Sequence, residues 1–302
     1  MLFLGQTASN MPALYTLMAY SGIKQGTFYP IGGFNEIIQS QITLCKKLGV
    51  IFKTSFDVSS INICNGKAVS ASCFSQNDEI ADYFIASADY AHVEKELLEA
   101  KYRNYTENYW NKRDFSPSSL IFYLGIDKKV DHLIHHNLFF DENIELFSDD
   151  IYVNKIWPKK PLFYVSCPSK TDKSTAPIGK ENIFILMPLP AGVNDTEKLR
   201  EQYFSIIMQK LEKYCNMEIK SKIIYKRSYC IKDFQNDYYS YKGNAYGLAN
   251  TVSQTANFKP KIRNKNVKNL FYTGQLTVPG PGVPPSLISG KLVADYIIKN
   301  QR

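Results

Sequence analysis

The residues best suited to holding a reactive group lie near the C-terminal end, in NLFYTGQLTVPGPGVPPSLISGKLVADYI at 269–297. Leu270 to Thr273 is a short aromatic and β-branched run stopped by Gly274, and prolines at 279, 281, 284 and 285 alternate with Gly280 and Gly282 before a helical pattern begins. Glycine lets a ligand approach the main chain, proline fixes the loop's shape, and an opening helix turn offers N–H groups and positive dipole potential. A strand, a rigid loop and a helix start in that order suit a polar, electron-rich group held against backbone. Plain punctuation of a tight connection is the alternative reading.

Two other clusters invite chemistry. His132, His135 and His136 fall at i, i+3 and i+4, a spacing that could bring imidazoles together, but no cysteine or glutamate completes a ligand set, so no metal is expected. FYVSCPS at 163–169 offers Ser166 and Cys167 as nucleophiles; it lacks the G-x-S-x-G elbow and reads as a packed strand. Many carboxylates are present, none singled out by spacing, so the catalytic base stays unknown.

The elements that must position these residues can be read from periodicity. Ile288, Leu292 and Tyr296, flanked by Leu287, Val293 and Ile297, predict one apolar stripe on a C-terminal helix. Before it, YPIGGF at 29–34 leads into a helix with Phe34, Ile37, Ile38, Ile42, Cys45 and Leu48 as its buried face, closed by Gly49. A strand is expected over 50–56, then a hairpin turning on Asn65-Gly66, then a strand in DYFIASAD. From 91 to 240 the pattern shifts to a polar helix-prone stretch, strands in SSLIFYLGI, PLFYVSC and NIFILM, and a helix over 195–214 with Asn194 and Glu197 as a capping box. The opening MLFLGQTASNMPALYTLMAY begins in apolar material and reaches a helix near Pro12 without a strand and Gly-rich turn, so its first methionine reads as an internal start.

Composition sets the class. With 302 residues, 44% apolar and 21% charged, the chain is long enough for one large or two modest globular domains. A net charge of +8 is spread along it, densest in KPKIRNKNVK at 259–268, which reads as a solvated connection or a weak attraction for anionic lipid. No aromatic-rich basic module suggests nucleic acid. Six cysteines without regular spacing read as reduced thiols, and the longest apolar run, IFILM at 183–187, is too short to cross a bilayer.

Taken together, Gly274 followed by Pro279-Gly280-x-Gly282-Val283-Pro284 resembles the C-terminal flavin-contacting segment of the bacterial carotenoid (phytoene) desaturase family. YPIGGF resembles the family's [YF]-P-x-G-G return to the flavin domain, and YRNYTENYWNKRDFSPSSLIFYLGI, HHNLFF and PLFYVSCPSKTDKSTAPIGKENIFILMPL resemble its substrate-domain core, so the likeness covers nearly the whole chain. It implies an α/β flavoprotein fold: a partial FAD/NAD(P)-binding Rossmann-like architecture with an inserted α+β substrate domain. Residues 1–25 would end a first substrate-domain segment, 26–90 would be the middle of the FAD-binding domain, 91–240 the substrate domain, and 241–302 the rest of the FAD-binding domain.

By the same resemblance, FAD contacts fall on Gly274 and Gln275, on Gly282, Val283 and Pro284, on Leu287 and Ile288 through helix N–H groups, on Gly32 and Gly33, and on Val58 at the adenine side. The implied activity is desaturation of phytoene or a related long polyene in carotenoid biosynthesis, at the inner face of the cell membrane, by a cytoplasmic, peripherally attached protein. A carotenoid isomerase or another flavin oxidoreductase of the same fold is the alternative, as is an inactive or partner-dependent fragment. One departure matters: the family's G-x-G-x-x-G turn, which seats the dinucleotide pyrophosphate, is absent from these 302 residues, and a missing N-terminal half is expected to carry it.

Overall fold

The computed structural model describes residues 6–7 and 10–300, and the apolar opening at 1–5 lies outside them. In chain order the helices are α1 (Thr16–Lys24), α2 (Asn35–Lys47), α3 (Tyr90–Glu96), α4 (Glu107–Asn111), α5 (Ile144–Tyr152), α6 (Glu197–Cys215), α7 (Ile231–Tyr238) and α8 (Val283–Asn300). The strands are β1 (Val58–Cys64), β2 (Lys67–Cys73), β3 (Gln76–Ile80), β4 (Phe84–Ala86), β5 (Ser118–Ile126), β6 (His136–Phe139), β7 (Phe163–Ser166), β8 (Glu181–Leu189), β9 (Ile223–Tyr229) and β10 (Leu270–Tyr272). The chain divides into two units, one made from the described residues of 1–12 with 53–117 and 233–300, the other from 13–52 and 118–232. These boundaries differ from those the resemblance implied: 26–52 groups with the 118–232 block, and 91–117 groups with the C-terminal residues.

In the first unit, β1, β2 and β3 form an antiparallel meander. Asn65 (φ 50°) and Gly66 (φ 72°) make its first turn, both in the left-handed region that a two-residue hairpin needs. A separate pair, β4 and β10, runs parallel, with Leu270 opposite Phe84 and Tyr272 opposite Ala86. Buried Asn269 fastens this pair to the meander. Its Oδ1 accepts from Ala68 N–H at 2.8 Å, and its Nδ2 donates to the Ala68 and Asp82 carbonyls at 2.9 and 2.7 Å.

Tyr90, Val93, Leu98, Trp110, Leu248, Leu270 and Tyr272 fill the core of this unit, with Tyr90 stacked on Tyr272 at 3.8 Å. Glu94 is buried among them, accepting from the Asn104 and Tyr105 N–H groups and the Tyr272 hydroxyl. Burial pushes its carboxyl up to about 7 despite those donors.

The second unit carries a five-stranded antiparallel sheet in the order β6-β7-β8-β5-β9. Alternating side chains Ile183, Ile185 and Met187 of β8 point into its core, where they meet Tyr203, Phe204, Ile207 and Leu211 of α6. The cap of α6 is Thr196, which accepts from Leu199 N–H, rather than Asn194 as the sequence suggested. The Asn194 backbone carbonyl instead accepts from the Trp157 indole N–H at 2.8 Å.

Other expectations fail for identifiable reasons. Residues 50–57 form no strand: Ser55, at φ +56°, leaves the extended conformation, and pairing begins only at Val58, opposite Cys73. The stripe of α2 is not a buried face: none of its residues is buried, and Phe34, Ile38 and Leu48 are exposed. On α8 the buried residues are Ser289 and Val293, while Leu287, Ile288 and Leu292 are half-exposed. Periodicity marks an apolar stripe that can be covered; it does not guarantee a cover. Among the described residues no helix is long and apolar enough to cross a membrane.

Candidate functional site

In open α/β sheets, ligands sit beyond the carboxyl ends of parallel strands. Here β4 ends at Ala86 and β10 at Tyr272, both pointing the same way, and a cavity of about 480 Å³ lies where their chains continue. Ser87, Ala88 and Asp89 line it after β4; Thr273, Gly274, Gln275 and Leu276 line it after β10. Ser286 of α8, Ser240, Asn244 and Ala245 of a loop, and Phe234 and Tyr238 of α7 complete the wall.

Each wall element is held by specific bonds. Thr273 N–H donates to the Ala86 carbonyl at 2.9 Å, extending the parallel pair by one residue. Gly274, at φ +95°, then turns the chain, and its N–H donates to the Ser289 hydroxyl of α8 at 2.9 Å. Asp89 caps α3 by accepting from the Ala91 and His92 N–H groups, and also takes the Tyr241 N–H at 3.1 Å. Burial raises its carboxyl above the usual range, against the pull of the Tyr241, His92 and Ala91 N–H groups and the Asn244 side chain. With its oxygens committed to capping, Asp89 is an anchor of the wall rather than a free base. Gly247, at φ +73°, lets its loop approach closely: a Cβ there would stand 2.9 Å from the Gln275 carbonyl oxygen. Asn244 Oδ1 accepts the Gly247 N–H at 2.7 Å and sets that approach.

The residues singled out from sequence fall in four places. Gly274 and Gln275 line the cavity. Gly282, at φ +114°, precedes α8, and Val283, Pro284, Leu287 and Ile288 occupy its first turns with Val283, Leu287 and Ile288 about half exposed. The expectation that Leu287 and Ile288 present N–H groups needs correction, because at those positions the N–H belongs to the helix's own i to i−4 ladder. The helix start is also poor in donors: Pro284 and Pro285 have none, and Ser286 N–H donates to the Gly282 carbonyl at 3.0 Å. Val58 opens β1 and packs, partly buried, against the core of the first unit. Gly32 and Gly33 belong to the second unit, where Gly32 N–H donates to Asp172 at 2.7 Å and Gly33 N–H to the Pro30 carbonyl at 2.9 Å.

Asp89, Asn244, Gly247 and Lys259 were missed. Asp89 carried a legible signal, an acidic residue between a strand and a helix, which is an N-cap pattern. The basic run at 259–268 is not a solvated connection throughout: Lys259, Asn264 and Val267 are buried. The histidines go to neighbours in the second unit, His135 Nδ1 to the Thr171 hydroxyl and His136 Nδ1 to the Tyr164 hydroxyl. Cys167 is fully buried with its thiol pushed up to about 11 by burial, and Ser166 is the last residue of β7.

These residues fit a flat, electron-rich cofactor. Backbone bared by Gly274 and Gly282, the apolar Val283, Leu287 and Ile288 side chains standing uncovered, and the buried Lys259 amine with no hydrogen-bond partner among the described residues all leave room and polarity for one.

Residues 1–298 match the family described as flavin containing amine oxidoreductase. The carotenoid 3,4-desaturase of Haloarcula japonica is 33% identical over 99% of this chain and 60% of its own length. The zeta-carotene-forming phytoene desaturase of Myxococcus xanthus is 28% identical over 98% and 57%, and a 4,4'-diapophytoene desaturase of Staphylococcus aureus is 30% identical over 99% and 62%. The chain thus spans about three-fifths of the length of these relatives. An oxidoreductase structure from Methanosarcina mazei superposes with a TM-score of 0.59 at 17% identity, covering 93% of this chain and 58% of that one, which shows the shared fold. The chain belongs to the flavin-containing amine oxidoreductase family, with FAD as the cofactor that goes with it and with its likeness to that family's carotenoid desaturases.

Proposed function

We propose that this chain provides the substrate-binding unit and the flavin-ring end of an FAD-dependent desaturase acting on phytoene or a related carotenoid precursor. The observation that carries the reading is the run of similarity to named carotenoid desaturases over 98–99% of the chain. The cavity beyond β4 and β10 supports it, since a flavin-family fold holds its cofactor at that edge.

FAD, when bound, supplies the acceptor for a hydride leaving a substrate C–H, a role no side chain can fill. The chain's own share is to hold and to exclude. Gly274 and Gly282 bring backbone close, Asp89 and Asn244 fix the wall, and Val283, Leu287 and Ile288 give an apolar surface from which water is displaced. Gly32, Gly33 and Val58 belong to the same reading as further cofactor contacts.

Work at the inner face of the cell membrane, as a peripheral cytoplasmic protein, is part of the proposal. It is supported by the apolar residues that α1 and α2 expose, Leu17, Met18, Ile38 and Leu44 among them, beside Lys46 and Lys47. The test is to join the chain to a relative's dinucleotide-binding segment and incubate it with FAD and phytoene in anionic liposomes. Red-shifted absorbance from added conjugated double bonds supports desaturation; turnover of a small amine with none of phytoene refutes it.

A second reading rests on the missing G-x-G-x-x-G: these residues alone hold FAD weakly and act only with a segment that seats the pyrophosphate. Tight stoichiometric flavin on the purified chain would overturn that.

A further inference from the structure

Lys259 is 2% exposed, and its Nζ is buried with no hydrogen-bond partner among the described residues. Burial alone lowers its ammonium to about 8. A lysine in such surroundings is a cost to the fold unless something completes it. What it lies against is the Gly/Pro loop: a Cβ on Gly280, at φ +136°, would stand 3.2 Å from Lys259 Cε, 3.5 Å from its Nζ and 3.8 Å from Asn250 Oδ1. Glycine at 280 therefore keeps open a small space bordered by an amine. Three residues further on, α8 begins at Val283 and carries prolines at 284 and 285, so its positive end has few N–H groups with which to receive a negative partner. The amine supplies a donor and a charge where the prolines remove donors.

We propose that Lys259 and the Gly280–Val283 backbone form one anion-recognising corner, and that its partner is the electron-rich carbonyl edge of the flavin ring. The assignment rests on the flavin reading above and deepens it by naming the group that meets the ring's negative edge. Lys259 then also favours reduction of the bound flavin, because a cation beside that edge stabilises the charge reduction brings there. FAD offers a second anion, its pyrophosphate, which the experiment must separate from the ring.

The test uses the full chain with 13Cε-labelled lysine, the Lys259 resonance being assigned by its loss in Lys259→Met. Three probes are titrated: FAD, lumiflavin, which has the ring only, and ADP, which has the pyrophosphate only. FAD and lumiflavin should shift the Lys259 resonance and move its titration above its value in the free chain, while ADP should leave both in place. Lys259→Met should weaken lumiflavin binding about tenfold, the loss of one charge-assisted contact, and Lys259→Arg should recover most of it. A response to ADP without one to lumiflavin overturns the ring assignment. Flavin bound equally by wild type and Lys259→Met, with the resonance unmoved, overturns the corner but leaves the flavin site standing. No binding of FAD or lumiflavin by the wild-type chain up to millimolar concentration overturns the flavin reading and this proposal with it.

Discussion

Gly247→Ala tests whether the cavity wall is built on a close backbone approach. The position has φ +73°, where an alanine costs about 1–2 kcal/mol. The added Cβ would also stand 2.9 Å from the Gln275 carbonyl oxygen and 3.2 Å from its carbon, both backbone atoms that cannot swing aside as a side chain would. Relief by shifting the 244–250 loop costs a further ~1–3 kcal/mol. The sum, about 2–5 kcal/mol, lowers a urea midpoint by roughly 1–2.5 M at a slope near 2 kcal/mol/M.

The chain has two tryptophans, and Trp110 lies in the core of the first unit, so a Trp157→Phe background makes fluorescence report on that unit alone. The control is Gly290→Ala within α8, where nothing lies within 4 Å of the added Cβ; it should stabilise by about 1 kcal/mol. Equal midpoints for the two variants, or a rise for Gly247→Ala, would refute the close-approach argument.

Gly282→Val, beside Pro285 Cδ at 3.3 Å and at φ +114°, should cut flavin occupancy by tenfold or more by absorbance in the desaturase reconstituted with its dinucleotide-binding segment, since it both strains and crowds the loop. Asn269→Ala should cost about 2–4 kcal/mol by the same Trp110 readout, because it strands the buried backbone N–H and carbonyl of Ala68 and unpairs the Asp82 carbonyl. Without flavin, Lys259→Met should raise stability at pH 7 by about 3 kcal/mol, the equivalent of its displacement from 10.5 to about 8. The sign follows from proton binding: between pH 8 and 10.5 the unfolded chain holds more protons on this lysine than the folded one, so wild type gains stability with rising pH and the variant's advantage shrinks. Urea midpoints at pH 7 and pH 10 check it.

Much of the frame was legible because local rules decided it. Asn65-Gly66 needs left-handed backbone and turned as a hairpin, SSLIFYLGI became β5 over its full length, and Gly49 closed α2. What stayed hidden depends on distant partners. No periodicity says that Gly247 must lie against Gln275, or that Lys259, first in a basic run, is drawn inside beside Gly280. The stripe of α2 was read correctly as apolar and wrongly as buried, since a sequence gives the face and not its cover.

The pairing of β4 with β10 joins residues separated by most of the chain, with the whole 118–232 block between them. On a ribosome, β4 and the meander emerge early and wait, their parallel partner still unmade, while the intervening sheet and α6 can pack within their own segment. The cavity edge therefore comes into being only when 270–276 arrive. A nascent chain arrested before that point should present β4 as an open, sticky edge, so synthesis rate and chaperone supply late in translation should govern how much of this protein reaches a flavin-ready state.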